Sequence, residues 1–231
     1  MVEQLERRST FTRSQQDYLK ALYLLGGDER PVPTRELAQR LGISSPSVSE
    51  MVARLSAQGL VVHDRYRGQQ LTRDGRKVAL ELVRHHRLLE MFLVRVLDYK
   101  WDEVHEEAER LEHVISERME QRIFELLGRP ELDPHGHAIP SASGKVRSVS
   151  ERPLSECRAG EKVVVQGVSD EDAGRLRELE RRGLMPGTRV EVVAASEYEG
   201  PIEVRIKGRR VSIPLGLARG MFVEVARPIG R

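Results

Sequence analysis

A single cysteine, Cys157, stands in a chain of 231 residues. One thiol builds neither a disulfide framework nor a cysteine-based zinc cluster. Aromatic residues are only 4% of the chain, too few for the base-stacking sheets of RRM-type single-strand binders. The segment Met1-Val2-Glu3-Gln4-Leu5-Glu6-Arg7-Arg8 lacks the apolar core of a signal peptide. No run of about 18 apolar residues suggests a membrane span, so a cytoplasmic protein is expected. Net charge is +2, which makes any nucleic-acid contact the work of a local basic patch. There is no glycine-rich phosphate loop, nucleophile elbow or His-Glu-x-x-His motif, so an enzyme is not expected. What is present is 39% hydrophobic and 32% charged residues, enough apolar material for a core under a strongly charged surface.

Apolar periodicity predicts a mainly α chain with a small β domain. Tyr18, Leu19, Leu22 and Leu25 predict a helix over residues 12–25, ended by Gly26-Gly27. Leu37, Ala38 and Leu41 predict a second, stopped by Gly42. A third opens at Ser44-Ser45-Pro46 and carries Val48, Met51, Val52 and Leu55. Two short apolar stretches around a basic turn at residues 64–70 predict a β-hairpin. A long helix is expected from Thr72 to about Leu97 and another from Trp101 to Leu127, broken by Gly128-Arg129-Pro130. Residues from Asp133 to Arg152 follow no period and read as a linker. Beyond Pro153, five short alternating strands and one helix, about Asp170 to Arg182, predict a small β-barrel. The expected domains are 1–75, a winged helix-turn-helix; 76–140, a helical metal-binding and dimerisation domain; 141–152, a linker; and 153–231, the β domain.

The segment Thr34–Gly59 has helix-turn-helix spacing. Ser44, Ser45, Pro46, Ser47 and Ser49 at the start of its second helix are small enough for close approach to phosphates and base edges in the major groove. That helix N-terminus also attracts phosphate. Glu50 is placed to accept from a cytosine amine, and Arg54, Arg65 and Arg67 supply positive charge on the helix and in the hairpin, the wing. The same pattern also serves protein–protein modules.

His105, Glu109, Glu112 and His113 fall on one face of the predicted helix 101–127, beside the apolar set Val104, Ala108, Leu111, Ile115 and Met119. His86 and Glu90 share a face of the preceding helix, and Asp17 lies on the first. Imidazoles and carboxylates converging from three helices suit Mn²⁺, Fe²⁺, Co²⁺ or Zn²⁺, because a dication relieves carboxylate repulsion. A charged helix face of this kind is also ordinarily solvated. His63, His85, His135 and His137 carry no such pattern and read as incidental.

Several stretches resemble the iron- and manganese-dependent repressors related to the diphtheria toxin repressor. Ser45-Pro46-Ser47-Val48-Ser49 with Met51-Val52-Ala53-Arg54-Leu55 is similar to that family's recognition helix, and Leu71-Thr72-Arg73-Asp74-Gly75-Arg76 to its wing-to-helix passage. His86-Arg87-Leu88-Leu89-Glu90 and the run Val104 to His113 resemble its metal-binding stretches. Gly183-Leu184-Met185-Pro186-Gly187 and Ile213-Pro214-Leu215-Gly216-Leu217-Ala218 are similar to the SH3-like domain shared with a small ferrous-transport accessory protein. The resemblance implies a homodimeric repressor of metal-uptake genes that binds a palindromic double-stranded operator, with Mn²⁺ or Fe²⁺ as corepressor and Zn²⁺, Co²⁺ or Cd²⁺ as substitutes in vitro. It places Asp17, Glu109, Glu112 and His113 in a primary metal site. His86, Glu90 and His105 fall in an ancillary one, completed by one of Asp170, Glu171 and Asp172. Iron-type members carry Met and Cys where Asp17 and Glu109 stand here; carboxylates favour the harder Mn²⁺. Manganese-type members carry a further Glu where this chain has Lys20, and some lack the C-terminal domain. The apolar face of helix 101–127 is expected to form the dimer.

Overall fold

The computed structural model describes residues 11–64, 66–170, 172–195 and 199–226. Two compact units divide it. Unit 1 comprises Met1–His86, Leu111–Arg122 and Pro140–Lys145; unit 2 comprises Arg87–Arg110, Ile123–Ile139 and Val146–Arg231. Among the described residues, no helix is long and apolar enough to cross a membrane.

In unit 1, α1 (Arg13–Leu24) opens on a capping box in which Thr12 and Gln15 satisfy each other's backbone N–H groups. Helix α2 (Thr34–Leu41) stops at Gly42 in the left-handed conformation, and α3 (Ser45–Ala57) starts at Ser44, whose hydroxyl accepts from Ser47 N. Strands β1 (Val61–Asp64) and β2 (Gly68–Leu71) pair antiparallel with Val61 opposite Leu71. Their apolar faces close on one core of Leu19, Leu22, Leu37, Val48, Val52, Leu55 and Val61. The hairpin and helices are therefore a winged helix-turn-helix. Helix α4 (Arg73–Leu97) contributes its first half to unit 1 and the rest to unit 2.

The expected helix over 101–127 is two helices, α5 (Val104–Leu111) and α6 (Glu117–Leu126). At the break the Leu111 carbonyl accepts from both Val114 N and Ile115 N, at 3.0 and 3.3 Å. Two consecutive β-branched residues, Val114 and Ile115, weaken helix propagation here. Ser116 Oγ then accepts from Met119 N at 3.2 Å and restarts the helix. Glu112 and His113 thus sit on a turn and do not extend the helical face of His105 and Glu109. Val104 and Ala108 are fully buried, whereas Val114, Met119 and Leu126 are the exposed apolar residues of this region.

Residues 133–139, read from the sequence as linker, are a buried turn. Asp133 Oδ1 accepts from the backbone N–H of His135 at 2.8 Å and of His137 at 2.9 Å, and Leu132 bridges Ala138. Polar, period-free composition hid it, because its burial comes from side-chain-to-backbone bonds rather than an apolar face. Gly136, at φ +93°, brings the turn onto β3 (Lys162–Val168): a Cβ there would lie 1.9 Å from Gln166 O. Gly136→Ala is therefore expected to destabilise unit 2 by more than about 2 kcal/mol, from left-handed strain and backbone collision together, read as a lowered urea midpoint; an unchanged midpoint would show that the turn is free to move.

The rest of unit 2 is a five-stranded antiparallel sheet in the order β6-β5-β4-β3-β7. Its further strands are β4 (Arg189–Ala195), β5 (Ile202–Ile206), β6 (Arg209–Ile213) and β7 (Met221–Val225). Helices α7 (Ala173–Arg181) and α8 (Leu215–Arg219) and a 3-10 turn at Leu154–Glu156 cover it. Alternate residues Val163, Val165, Val190, Val192, Ile202 and Val204 fill the core with Leu176, Leu179, Leu154, Cys157 and Trp101. This is the expected SH3-like domain.

Candidate functional site

Unit 1 gathers Asp17, Glu112 and His113, with one donor atom of each lying within 4.8 Å of the others. His113 Nε2 is 2.9 Å from Asp17 Oδ1 and 3.5 Å from Glu112 Oε1. The other ring nitrogen, Nδ1, is 2.7 Å from Gln16 Oε1. An amide oxygen requires a donor, so Nδ1 carries a proton, and Nε2 is the nitrogen turned toward the carboxylates. That buried Nε2 has no hydrogen-bond partner, and it is aimed between two carboxylates. An imidazole nitrogen set among carboxylates is an arrangement a divalent cation satisfies, and the donor set fits Mn²⁺ or Fe²⁺. Beside it, Lys20 Nζ donates to Glu112 Oε1 at 2.9 Å and Oε2 at 2.8 Å and lies 3.2 Å from His86 Nδ1. His86 Nδ1 is itself 2.5 Å from Glu112 Oε2. Glu112, fully buried, thus faces an ammonium as well as the imidazoles. The turn is held from behind: His85 Nδ1 lies 3.1 Å from Glu112 O and Nε2 3.0 Å from Glu120 Oε2, while Arg84 Nε lies 2.6 Å from Glu120 Oε1. Burial alone would raise the Glu120 carboxyl, but His85 and Arg84 outweigh it and hold it below its ordinary range.

Helix α1 has two working faces. Gln16, Asp17 and Lys20 address His113 and Glu112, whereas Gln15 Nε2 donates to Gln58 Oε1 at 3.0 Å and Tyr18 Oη reaches Ser47 O at 3.4 Å. One rigid helix therefore touches both the cation cluster and the two ends of α3.

In unit 2, Glu90 and Asp170 converge on imidazoles. His105 Nδ1 is 3.4 Å from Glu90 Oε1 and 3.9 Å from Asp170 Oδ2. Among the described residues of the acidic trio, Asp170 is the one that reaches the cluster. Asp172 caps α7, its side chain accepting from Arg175 N at 3.1 Å, and Glu171 lies outside the described residues. Glu109 is 42% exposed and 4.0 Å from His105 Nε2. Sequence reasoning missed His135, Asp133 and His137 here; the one signal was their alternation at positions 133, 135 and 137. Burial lowers the His135 imidazole pKa, but Glu90, then Asp133 and Asp170, outweigh it and carry it to about 9.

Of the residues expected to meet DNA, Ser44, Ser45, Pro46, Ser47, Ser49, Glu50, Arg54 and Arg67 are all exposed, and Arg65 lies outside the described residues. Glu50 Oε1 and Arg54 Nη2 are 2.5 Å apart, so in the free chain these two side chains pair with each other. Tyr66, 91% exposed in the wing turn, is a candidate that sequence reasoning missed; its tip position was the available cue.

Comparison with known proteins agrees with this geometry. Family models match over three segments: the iron dependent repressor N-terminal DNA binding domain over residues 10–69, the iron dependent repressor metal binding and dimerisation domain over 72–141, and the FeoA domain over 152–225. The iron-dependent repressor IdeR of Mycobacterium leprae is 34% identical over 224 residues, covering 90% of this chain and 95% of that one. The diphtheria toxin repressor of Corynebacterium glutamicum is 31% identical over 219 residues, covering 90% and 94%. Among solved structures, a manganese-dependent transcriptional repressor in complex with manganese superposes with a TM-score of 0.86 at 41% identity, covering 92% of this chain and 100% of that one. ScaR with bound Zn²⁺ superposes with a TM-score of 0.79 at 33% identity, covering 92% and 99%. The chain belongs to the diphtheria toxin repressor family of metal-dependent, DNA-binding transcriptional repressors, and it carries the family's C-terminal FeoA domain.

Proposed function

We propose that this repressor takes Mn²⁺ as its corepressor, with Fe²⁺ as the alternative, and controls metal-ion uptake genes from the cytoplasm. The observation that carries the reading is the buried His113 Nε2, which makes no hydrogen bond and lies between Asp17, at 2.9 Å, and Glu112, at 3.5 Å. Carboxylate oxygens with one imidazole nitrogen and no sulfur favour the harder ion. Asp17, Glu112 and His113 would hold it in unit 1; Glu90, His105 and Asp170 would form an ancillary site in unit 2. The roles of Glu109 as a primary and His86 as an ancillary ligand rest on the family resemblance. A bound dication supplies the charge that lets Asp17 and Glu112 approach one another. A cation shared by Asp17 and the turn would hold α1 there more firmly, and with it α3 through Gln15 and Tyr18. The DNA-competent arrangement is thereby favoured in population, and operator DNA tightens metal binding by the same factor. Two protomers present two recognition helices to half-sites about 34 Å apart on a palindromic operator. The domain limits 1–75, 76–140 and 153–231 are proposed on the three matched family segments.

Operator binding titrated with Mn²⁺, Fe²⁺, Zn²⁺ or EDTA tests this. Retention of DNA at the lowest concentration of Mn²⁺ is the expected result. Equal retention in EDTA would remove the metal from the mechanism.

A further inference from the structure

The outer face of the FeoA-domain sheet carries cations on its interior strands as well as at its edge. Lys162 on β3 lies opposite Glu191 on β4, Glu191 opposite Arg205 on β5, and Arg205 opposite Arg210 on β6. These residues form one row across the sheet, roughly 14 Å long at three interstrand gaps of about 4.8 Å. Lys162, Glu191 and Arg205 also line an open cavity of about 230 Å³ together with Arg189 and Lys207. Four cations thus face one carboxylate, in a chain whose whole net charge is +2. That carboxylate is engaged: Arg205 Nη1 donates to Glu191 Oε2 at 2.7 Å. Among the described residues, Lys162, Arg189, Lys207 and Arg210 pair with no carboxylate, and all four are exposed. Glu203 and Glu224, elsewhere on the sheet, stand outside the cavity lining.

Two features of this face are unfavourable for the domain on its own. Arg205 and Arg210 are directly opposed, and like charges so placed destabilise a strand pair. Lys207, at φ +47°, and Gly208, at φ +84°, make a two-residue loop between the paired Ile206 and Arg209. Asparagine, aspartate or glycine suits the first position of such a loop, so lysine stands there against the backbone's preference. Protection of a sheet edge accounts for charge on β6. It does not account for Lys162 and Arg189 on β3 and β4, which lie inside the strand order.

A polyanion answers each of these features. The cavity lining includes no aromatic residue, and its two valines, Val163 and Val190, are buried in the core. The apolar, aromatic centre of a protein–protein interface is therefore missing. Guanidinium groups match phosphate in particular, by paired N–H donors. A row of roughly 14 Å covers about four phosphates, at about 3.4 Å of axis per charge along one DNA strand. We propose that this face of the FeoA domain binds the phosphodiester backbone of duplex DNA. It is a contact separate from the recognition helix and the wing, and it reads no base sequence, because phosphates position a protein and carry no sequence themselves.

Lys207→Asn tests this directly, since asparagine suits the loop and removes only the charge. It is combined with Arg189→Gln and Arg210→Gln in the full chain. Binding to long duplexes with and without the operator is followed by fluorescence anisotropy between about 50 and 200 mM salt. The salt slope should fall by about one for each cation lost per chain, and affinity at the upper salt by on the order of tenfold. Operator and scrambled duplex should lose equally, with the melting temperature of Lys207→Asn unchanged or raised. An unchanged slope, or a loss confined to the operator, would overturn the proposal. Intact DNA binding with lost retention on poly-L-glutamate would replace DNA by an acidic protein as the partner. Binding to scrambled duplex in EDTA carries the same expectation, so a failed metal requirement would count against the corepressor reading above and leave this contact standing.

Discussion

Asp17→Asn is expected to weaken Mn²⁺ binding on the order of 100-fold or more and to abolish metal-dependent operator binding, with stability nearly intact. The side chain is 35% exposed, and its contact is His113 Nε2 at 2.9 Å. Asparagine has the same shape, and its amide can donate to or accept from Nε2, so the metal-free turn loses little. What disappears is one of the proposed carboxylate ligands, a larger loss than the 10- to 100-fold commonly seen when a group merely supporting a ligand is removed. The operator response falls with it, because metal acts only by its differential affinity for the DNA-competent state. Manganese affinity by calorimetry, a gel shift and a thermal melt separate the three quantities. Glu112→Gln would remove the same response, but it would also strand the Lys20 ammonium, a buried charge whose loss of partner alone costs about 3–5 kcal/mol. Asp17→Asn is the cleaner test, and wild-type repression in that variant would mean that the unit 1 cluster is structural.

The sequence makes the winged helix-turn-helix legible because each boundary has a local cause: the Thr12–Gln15 capping box, Gly42 in the left-handed conformation, and the Ser44 cap before Pro46. The same holds for the C-terminal strands, whose inward residues alternate as the sheet requires. The break between α5 and α6 was hidden for the opposite reason. Val104, Ala108, Leu111 and Ile115 keep helical spacing straight through the turn, so periodicity alone continues the helix. The ligand types were readable, and the unit 1 trio of Asp17, Glu112 and His113 meets although the last two left the helix. What no pattern could show was where the remaining donors go. Asp133 and His135 enter the interior on a turn built from Asp133's bonds to its neighbours' backbone, and a Pro/Gly-rich stretch gives no sign of that. Lys20 was noted as a departure from the family, yet its engagement of both Glu112 oxygens is a tertiary fact.

Lys20→Met is expected to have opposite effects on the two states of the protein. In the metal-free chain the ammonium donates to both oxygens of Glu112, with side-chain exposures of 8% and 0%. Removing it leaves a buried carboxylate short of a counter-charge, at a cost of about 3–5 kcal/mol, and methionine keeps the stem's volume so that no cavity adds to this. The melting temperature should fall on the order of 10 °C. With metal the sign reverses. The wild-type ammonium competes for the Glu112 oxygens and repels a dication held by the same carboxylate, a repulsion of several kcal/mol at a separation of about 5 Å and an effective dielectric near 20–40. Relieving it should tighten Mn²⁺ binding at least tenfold, so the variant should gain more thermal stability from saturating Mn²⁺ than the wild type does. Lys20 in this account is an internal cation that keeps the apo turn folded while setting a threshold for the metal. A Lys20→Met protein that binds Mn²⁺ more weakly than the wild type would show instead that the ammonium positions Glu112 for the ion.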